Sequence, residues 1–448
     1  CHGCQLGTMS TSIGSLAVGG PEKGSNAPVG TGGRSVILTA TDQLLSSASN
    51  ALMLFALGQV SSVDEFATIG ILVAVALTFL GFNRGGLGTP VLLVSNLPRS
   101  AILAESGYAL SWAFLVAVVG AAPALLVAGG VMGDWTVGVA FALAIPFVLA
   151  QDVLRMACIA LNRPVVAVLS DGFWTACMAG LFVANLIGVG ALPLSVVGCW
   201  GVGAVVACAI PLAVTGVLPR SADLMGWWLT YWRARVRFGG LWSVNQLGVV
   251  LVLSIAATLV GSAAAAGLRG AYALFGPITI LISAVPLVFV PHARRAAGSV
   301  DDEWHLLVKS SLAMSVLTLV ATTVLMVTPS SMGAALIGSS WKPAAELVPY
   351  VGLESAMLCW LVSVYSYLQA CGLSKLLIRF KLIQLGIQLC ACTAAGIVFV
   401  TSAAIGLALA ASAMFTTVCG LQIVRRRQPR SARNRLRFGG LVHAGGRG

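Results

Sequence analysis

Charge is what this sequence has least of. Only 9% of its 448 residues are charged, against about 25% in soluble domains. No stretch is both long and polar enough to fold in water, so the bilayer is expected to solvate nearly the whole chain. Histidine is scarce: His2, His292, His305 and His443 all lie outside the depths of the apolar runs, which excludes a histidine-rich metal cluster. Cys1, His2 and Cys4 supply too few ligands for a closed zinc tetrahedron. There is no Gly-Lys-Ser phosphate loop, hence no built-in ATPase engine, and no catalytic dyad. The expectation is a non-enzyme without metal or cofactor.

Hydrophobic residues make up 58% of the chain. The eleven cysteines lie mostly inside apolar runs, where they behave as small apolar side chains. Cys390 and Cys392, two apart on a helix, point to different faces. The net charge of +12 does not imply a nucleic-acid partner, because the bases sit between apolar runs and in a tail, where they set topology.

Twelve apolar stretches follow one another at 36–58, 66–91, 107–130, 136–158, 165–187, 193–217, 241–262, 268–291, 305–328, 345–369, 377–399 and 403–423. Most approach the roughly 20 residues that cross a bilayer. Alternate connections carry Arg99; Arg163; Arg220, Arg233, Arg235 and Arg237; Arg294 and Arg295; and Lys375. The tail adds seven arginines from Arg425 to Arg437. The opposite connections hold Asp64, Glu65, Asp134 and Glu346, with Lys342 and Arg269 as the positives. That asymmetry predicts an all-α, multi-pass protein of the cytoplasmic (inner) membrane with both termini cytosolic.

The predicted organisation is a disordered cytosolic leader over 1–34, a six-helix lobe over 35–218, a linker over 219–240, a second six-helix lobe over 241–424 and a basic tail over 425–448. The linker mixes Trp227, Trp228, Tyr231 and Trp232 with arginines, like an interfacial amphipathic segment. Asp42-Gln43-Leu44 and Gly58 in the first span match Asn245-Gln246-Leu247 and Gly261 in the seventh at one constant offset. Parallel repeats of this kind place a substrate path between two lobes.

Charged residues inside the spans mark candidate sites, because each is costly in hydrocarbon and faces a bundle interior or water. Asp42 lies about 10 Å into the first span, as a capped residue near the mouth or as part of a polar stripe with Gln43, Ser46, Ser47 and Asn50 that lines a cavity. Asn245 and Gln246 are its counterparts. Arg84, within Asn83-Arg84-Gly85-Gly86-Leu87-Gly88-Thr89-Pro90, predicts a broken or flexible helix end and either snorkels or meets an anionic head group with its planar fork. Asp152 and Arg155, spaced i, i+3, can neutralise each other; with Asp171 they form a structural ion pair or a gate. Arg269 opens the eighth span, either as an anchor or projecting into the cavity. Glu354, midway along the tenth span with no basic neighbour on that helix, is protonated, binds a cation or is hydrogen-bonded to a neighbouring helix; the first two predict coupling to H+ or Na+.

These residues also carry a resemblance. The chain resembles the multidrug/oligosaccharidyl-lipid/polysaccharide (MOP) flippase superfamily, and within it the polysaccharide and O-antigen branch. The matching pieces are Asp42-Gln43 with Ser46-Ser47 and Asn50, Asp64-Glu65-Phe66, Gln151-Asp152 with Leu154-Arg155, Asn162-Arg163-Pro164, and Asp171 with Trp174. In the second half they are Leu268-Arg269-Gly270-Ala271, Phe275-Gly276-Pro277, Trp341-Lys342-Pro343-Ala344-Ala345 and Leu347-Val348-Pro349. The resemblance spans 35 to about 425, and order and spacing carry it. It implies two pseudo-symmetric six-helix bundles in a V around a central cavity, and alternating access that moves a lipid-linked sugar across the membrane as a monomer among membrane lipids. Arg84, Arg155 and Arg269 would then hold the head group. The rivals are a cation-coupled multidrug exporter of the same fold and a transport-dead scaffold for cell-envelope enzymes.

Overall fold

The chain is described by a computed structural model covering residues 31–129, 135–282 and 300–444. Of the leader expected over 1–34, only Thr31–Arg34 fall within that range, and they open the first helix. Every element among the described residues is helical. The long helices are α1 (Thr31–Val60), α2 (Val63–Leu93), α3 (Arg99–Val127), α4 (Trp135–Ala160), α5 (Pro164–Leu186), α6 (Pro193–Thr215) and α7 (Leu224–Leu259). After them come α8 (Ser262–Leu274), continued past a 56° bend by Gly276–Ile282, then α9 (Val300–Val327), α10 (Trp341–Ala370), α11 (Ser374–Phe399) and α12 (Ser402–Ala444). A short helix, Ser330–Ile337, precedes α10.

Ten of these helical stretches are long and apolar enough to cross a membrane, and the bent α8 pair makes an eleventh. The helix outside that set is α1, whose run of Asp42, Gln43, Ser46, Ser47, Ser49 and Asn50 lowers its hydropathy. It still packs within the bundle, so twelve helices cover the twelve predicted spans. Val118, Leu143, Leu169, Val202, Val320, Ile383 and Leu407 are exposed, as expected of side chains that face lipid rather than water.

The packing repeats. In the first lobe α3 lies on α4, α4 on α6 and on α2, α1 on α5, and α5 on α6; adding six to each number gives the pairs that build the second lobe. Two parallel six-helix halves with one packing scheme are the predicted pseudo-symmetric bundles. The lobes meet along α2, which packs on α7 and α8, and at the end that carries the α1–α2 turn. There Gln59 Nε2 donates to the Ala335 carbonyl at 2.8 Å, Ser339 Oγ donates to the Ser61 carbonyl at 3.1 Å, and Ser262 Oγ hydrogen-bonds Asp64. Ser62 and Glu65 close a capping box on α2, which fixes the direction in which it leaves that seam.

Two details depart from the sequence-based expectation. Arg84 does not break α2: Arg84–Gly88 form a π-helical turn and the helix runs on to Leu93. The glycines serve close approach instead, because a Cβ on Gly85 would stand 2.4 Å from the Phe238 carbonyl of α7. The linker is also not a separate segment. It forms the first turns of α7, bent at Tyr231 (φ −132°, ψ 21°), and is bound to α3 of the first lobe. Arg235 Nη2 and Trp227 Nε1 donate to the two oxygens of Glu105 at 2.9 and 2.7 Å, and Trp112 stacks on Trp228 with centroids 4.3 Å apart.

Candidate functional site

The site is built on α4. Every residue from Val148 to Cys158 on this helix is buried, so Gln151, Asp152 and Arg155 project into the first lobe rather than toward lipid. The adjoining turn is sharp: Asn162 takes a left-handed φ of 56°, and Pro164 opens α5 at a position where a missing N–H costs nothing. This turn folds α5 back so that Ser170 and Asp171 face Gln151.

Asp152 Oδ1 accepts from Arg84 Nη2 at 2.9 Å, from Arg84 Nε at 3.1 Å and from Arg155 Nη2 at 2.8 Å, while Asn83 Nδ2 reaches Oδ2 at 3.4 Å. Arg155 Nη1 donates to Asp42 Oδ2 and Gln43 Oε1, each at 3.2 Å, and stands 3.8 Å from Asp171 Oδ2. Gln151 Nε2 donates to Asp171 Oδ1, and Ser170 Oγ anchors α5 to the Ala207 carbonyl of α6 at 2.8 Å. Asp42, Asp152, Arg155 and Asp171 are at most 2% exposed.

Three carboxylates therefore meet two guanidiniums, an excess of one negative charge inside the lobe. Asp42 Oδ1 and Asp171 Oδ2 have no donor, and both carboxyl groups lie around the one Nη1 of Arg155. An uncompensated buried carboxylate is expensive, so this corner between α1 and α5 is suited to one cation, H+ or Na+.

The three arginines expected to converge do not all do so. Arg84 and Arg155 meet on one oxygen of Asp152. Arg269 lies elsewhere, in the seam between α8 and α2, where its side chain occupies the space a Cβ on Gly70 would take (Cγ at 2.7 Å). Gly70 is seven residues into α2, roughly 10 Å from its start by helical rise. Arg269 is 4% exposed, and its Nε and Nη2 have no acceptor. Glu354, thirteen residues into α10, accepts from Tyr272 Oη of α8 at 3.0 Å and from Gln388 Nε2 of α11 at 3.5 Å; it has no basic partner within salt-bridge distance among the described residues. Of the polar stripe, Gln43 joins the cluster and Asn50 Nδ2 turns back to the Ser46 carbonyl. Asn245 is exposed and Gln246 half-buried on α7, apart from the cluster.

Lys381 was not singled out from the sequence. It lies seven residues into α11, as Asp171 lies seven into α5, and Tyr365 precedes the left-handed Gly372 by seven, as Arg155 precedes Asn162. The repeat thus puts a lysine where the first lobe has an aspartate. Lys381 Nζ donates to the Leu241 carbonyl at 3.1 Å and sits 4.9 Å from the centre of the Tyr365 ring, whose hydroxyl hydrogen-bonds Gln384. The available signal was Lys381, Gln384 and Gln388 at helical spacing within an apolar span.

No protein-family model matches this sequence, and a search of curated proteins finds no match. Solved structures do match. An inward-facing multidrug resistance MATE family transporter of the MOP superfamily is 11% identical, with a TM-score of 0.67, over 89% of this chain and 99% of that one. An outward-facing structure of such a transporter is 12% identical with a TM-score of 0.59, covering 89% and 96%. A MOP superfamily transporter from Pyrococcus furiosus, described by the reverse polarity of its binding pocket, gives 12%, 0.59, 89% and 96%. Identity this low speaks for architecture alone, and the architecture is the two-lobed V of the MATE transporters of the MOP superfamily.

Proposed function

We propose that this chain is an ion-coupled transporter that works by alternating access between its lobes and moves a lipid-linked oligosaccharide, or a related glycolipid precursor, across the cytoplasmic membrane. The observation that carries the reading is the charge excess of the first lobe: three buried aspartates against two arginines, with Asp42 Oδ1 and Asp171 Oδ2 left open. One cation there neutralises the cluster. Asp42 is on α1 and Arg155 on α4, so the bound cation changes the forces between two helices of the first lobe. Glu354, held by Tyr272 and Gln388, is a second candidate for coupling.

The second lobe supports the substrate class. Arg269 and Lys381 have no carboxylate within salt-bridge distance among the described residues, and a phosphate-bearing head group supplies the missing anion. Arg84 and Arg155 act here as countercharges to Asp152, so in this reading they belong to the coupling cluster and the head group falls to Arg269 and Lys381. The sealing of those two arginines also favours a second reading, a cation-coupled exporter of multiple drugs, since it leaves the first lobe acidic.

Reconstitution into proteoliposomes separates the two. Under an imposed proton or sodium gradient, movement of a fluorescent polyprenyl-pyrophosphate-linked sugar is expected, with little movement of a lipophilic cationic dye. Glu354→Gln is expected to abolish the gradient dependence while insertion and folding stay intact. Dye efflux without sugar movement would replace the first reading by the second, and movement of neither would leave the scaffold.

A further inference from the structure

A crevice of about 290 Å³ opens at the end of the first lobe that carries the α2–α3 and α4–α5 turns, lined by Ser95, Leu97, Arg99, Ile102, Asn162 and Arg163 among others. It lies at the end of α4, beyond Arg155, and plays no part in the transport reading above. Both guanidiniums have a fixed anchor. Arg163 Nη1 donates to the Val214 carbonyl at 2.9 Å, and Arg99 Nη2 donates to the Thr215 carbonyl at 3.4 Å. These carbonyls end α6, where the last turn has no intrahelical donors to offer them.

Each arginine carries five N–H donors and shows one such bond, and neither has a carboxylate within 4 Å. Two cations are thus held side by side, positioned by backbone and not neutralised by acids. Leu97 on the wall is exposed, and so are Leu93, Val165 and Leu218, which lie two or three residues from Ser95, Arg163 and Thr215 in the chain. Two anchored guanidiniums and the Ser95 hydroxyl beside exposed apolar side chains fit a ligand with one anionic end and one hydrocarbon end.

We propose that this crevice binds the phosphate head of an anionic membrane lipid, with the acyl chains lying against Leu93, Leu97 and Leu218. Arginine forks match phosphate oxygens bidentately. The end of the molecule concerned is also the one whose connections carry Arg99, Arg163, Arg220 and Lys375, the leaflet side on which anionic lipid concentrates.

Lipid retention tests this directly. The full chain, purified from bilayers of mixed phosphatidylglycerol and phosphatidylcholine, is expected to carry phosphatidylglycerol through delipidation, read by native mass spectrometry. In the variant Arg99→Gln/Arg163→Gln that retention should fall by roughly fivefold for each arginine removed. Arg99→Lys/Arg163→Lys keeps the charge and loses the fork, and is expected to fall between the two; it also serves if the glutamine variant folds poorly. Arg233→Gln/Arg237→Gln, on the linker, should leave retention unchanged. Equal loss with the linker variant would reduce the effect to general surface charge and overturn the site. Displacement by millimolar inorganic phosphate, with no preference between the two lipids, would reassign the crevice to a free anion and overturn the lipid claim.

Discussion

Replacing Arg155 with methionine is expected to cost about 3–5 kcal/mol of first-lobe stability. The side chain is 1% exposed and links Asp42, Asp152 and, more distantly, Asp171. Methionine keeps much of the length and apolar packing, so the loss reports the charge. Without Arg155, three buried carboxylates face Arg84 alone, and Asp42 and Asp171 lose their cation. Unfolding titrations in mixed micelles read the effect. A cost below about 1 kcal/mol, the range of an exposed pair, would mean that the cluster is hydrated and the argument from desolvation fails. The partner variant Asp42→Asn is expected to behave differently. It removes a charge already in excess and leaves two carboxylates facing two guanidiniums, so it is expected to cost far less than the loss of Arg155. Combined with Arg155→Met it should restore part of the lost stability. Transport is the reverse: Asp42→Asn should fold well and lose ion coupling. If Asp42→Asn destabilises as much as Arg155→Met, the excess carboxylate is not free to take a cation and the coupling reading falls with it.

The contrast shows which parts of this molecule could be read from sequence. Eleven of the spans follow from hydropathy because the bilayer imposes one length on every crossing helix, while α1 with its polar stripe falls outside that set. The pair Asp152–Arg155 was legible because i, i+3 spacing is local. Its extension to Asp42 was not, since it joins residues 113 apart whose meeting depends on how α1 packs against α4 and α5. Arg84 was misread as a break because Gly85, Gly86 and Gly88 look like helix breakers in isolation; close approach explains them, of Phe238 and Arg235 on α7 to the first two and of Met156 on α4 to the third. The linker was read as separate from the seventh span because its arginines end the apolar run. In three dimensions Glu105 and the α3 tryptophan Trp112 hold that segment, and it joins the seventh span at the kink at Tyr231. Lys381 went unremarked because, following Lys375 and Arg379 at the start of α11, it reads as one more snorkelling boundary charge; only the repeat, once folded, sets it against Asp171.

Gly338→Ala is expected to disfavour the conformation in which the lobes close at the α1–α2 end. Gly338 adopts φ 57°, ψ −138°, a region that costs a side-chain-bearing residue about 1–3 kcal/mol. A Cβ there would also lie 2.3 Å from the Gly58 carbonyl oxygen and 3.1 Å from Gln59 Cα. Both obstacles are backbone atoms of the first lobe, so no rotamer change relieves them; the segment 338–340 must draw back from α1. That movement breaks the bonds from Gln59 to Ala335 and from Ser339 to Ser61, the seam that holds this end shut. Gly372 provides the control. Its φ of 73° is also positive, but nothing lies within 4 Å of its would-be Cβ. Spin labels at the exposed Val189 and Met332, on opposite lobes, are therefore expected to separate in Gly338→Ala and to keep their distance in Gly372→Ala, with transport slowed in the first alone. Identical distances in both variants would show that the seam is loose enough to admit a methyl group, and alternating access would then need another gate. Equal widening in both would trace the change to helix-end strain and not to contact between lobes. The comparison turns on close backbone approach between two chain segments 280 residues apart (338 − 58), the kind of contact on which a two-lobed transporter must rely if it is to open one end only after the other has closed.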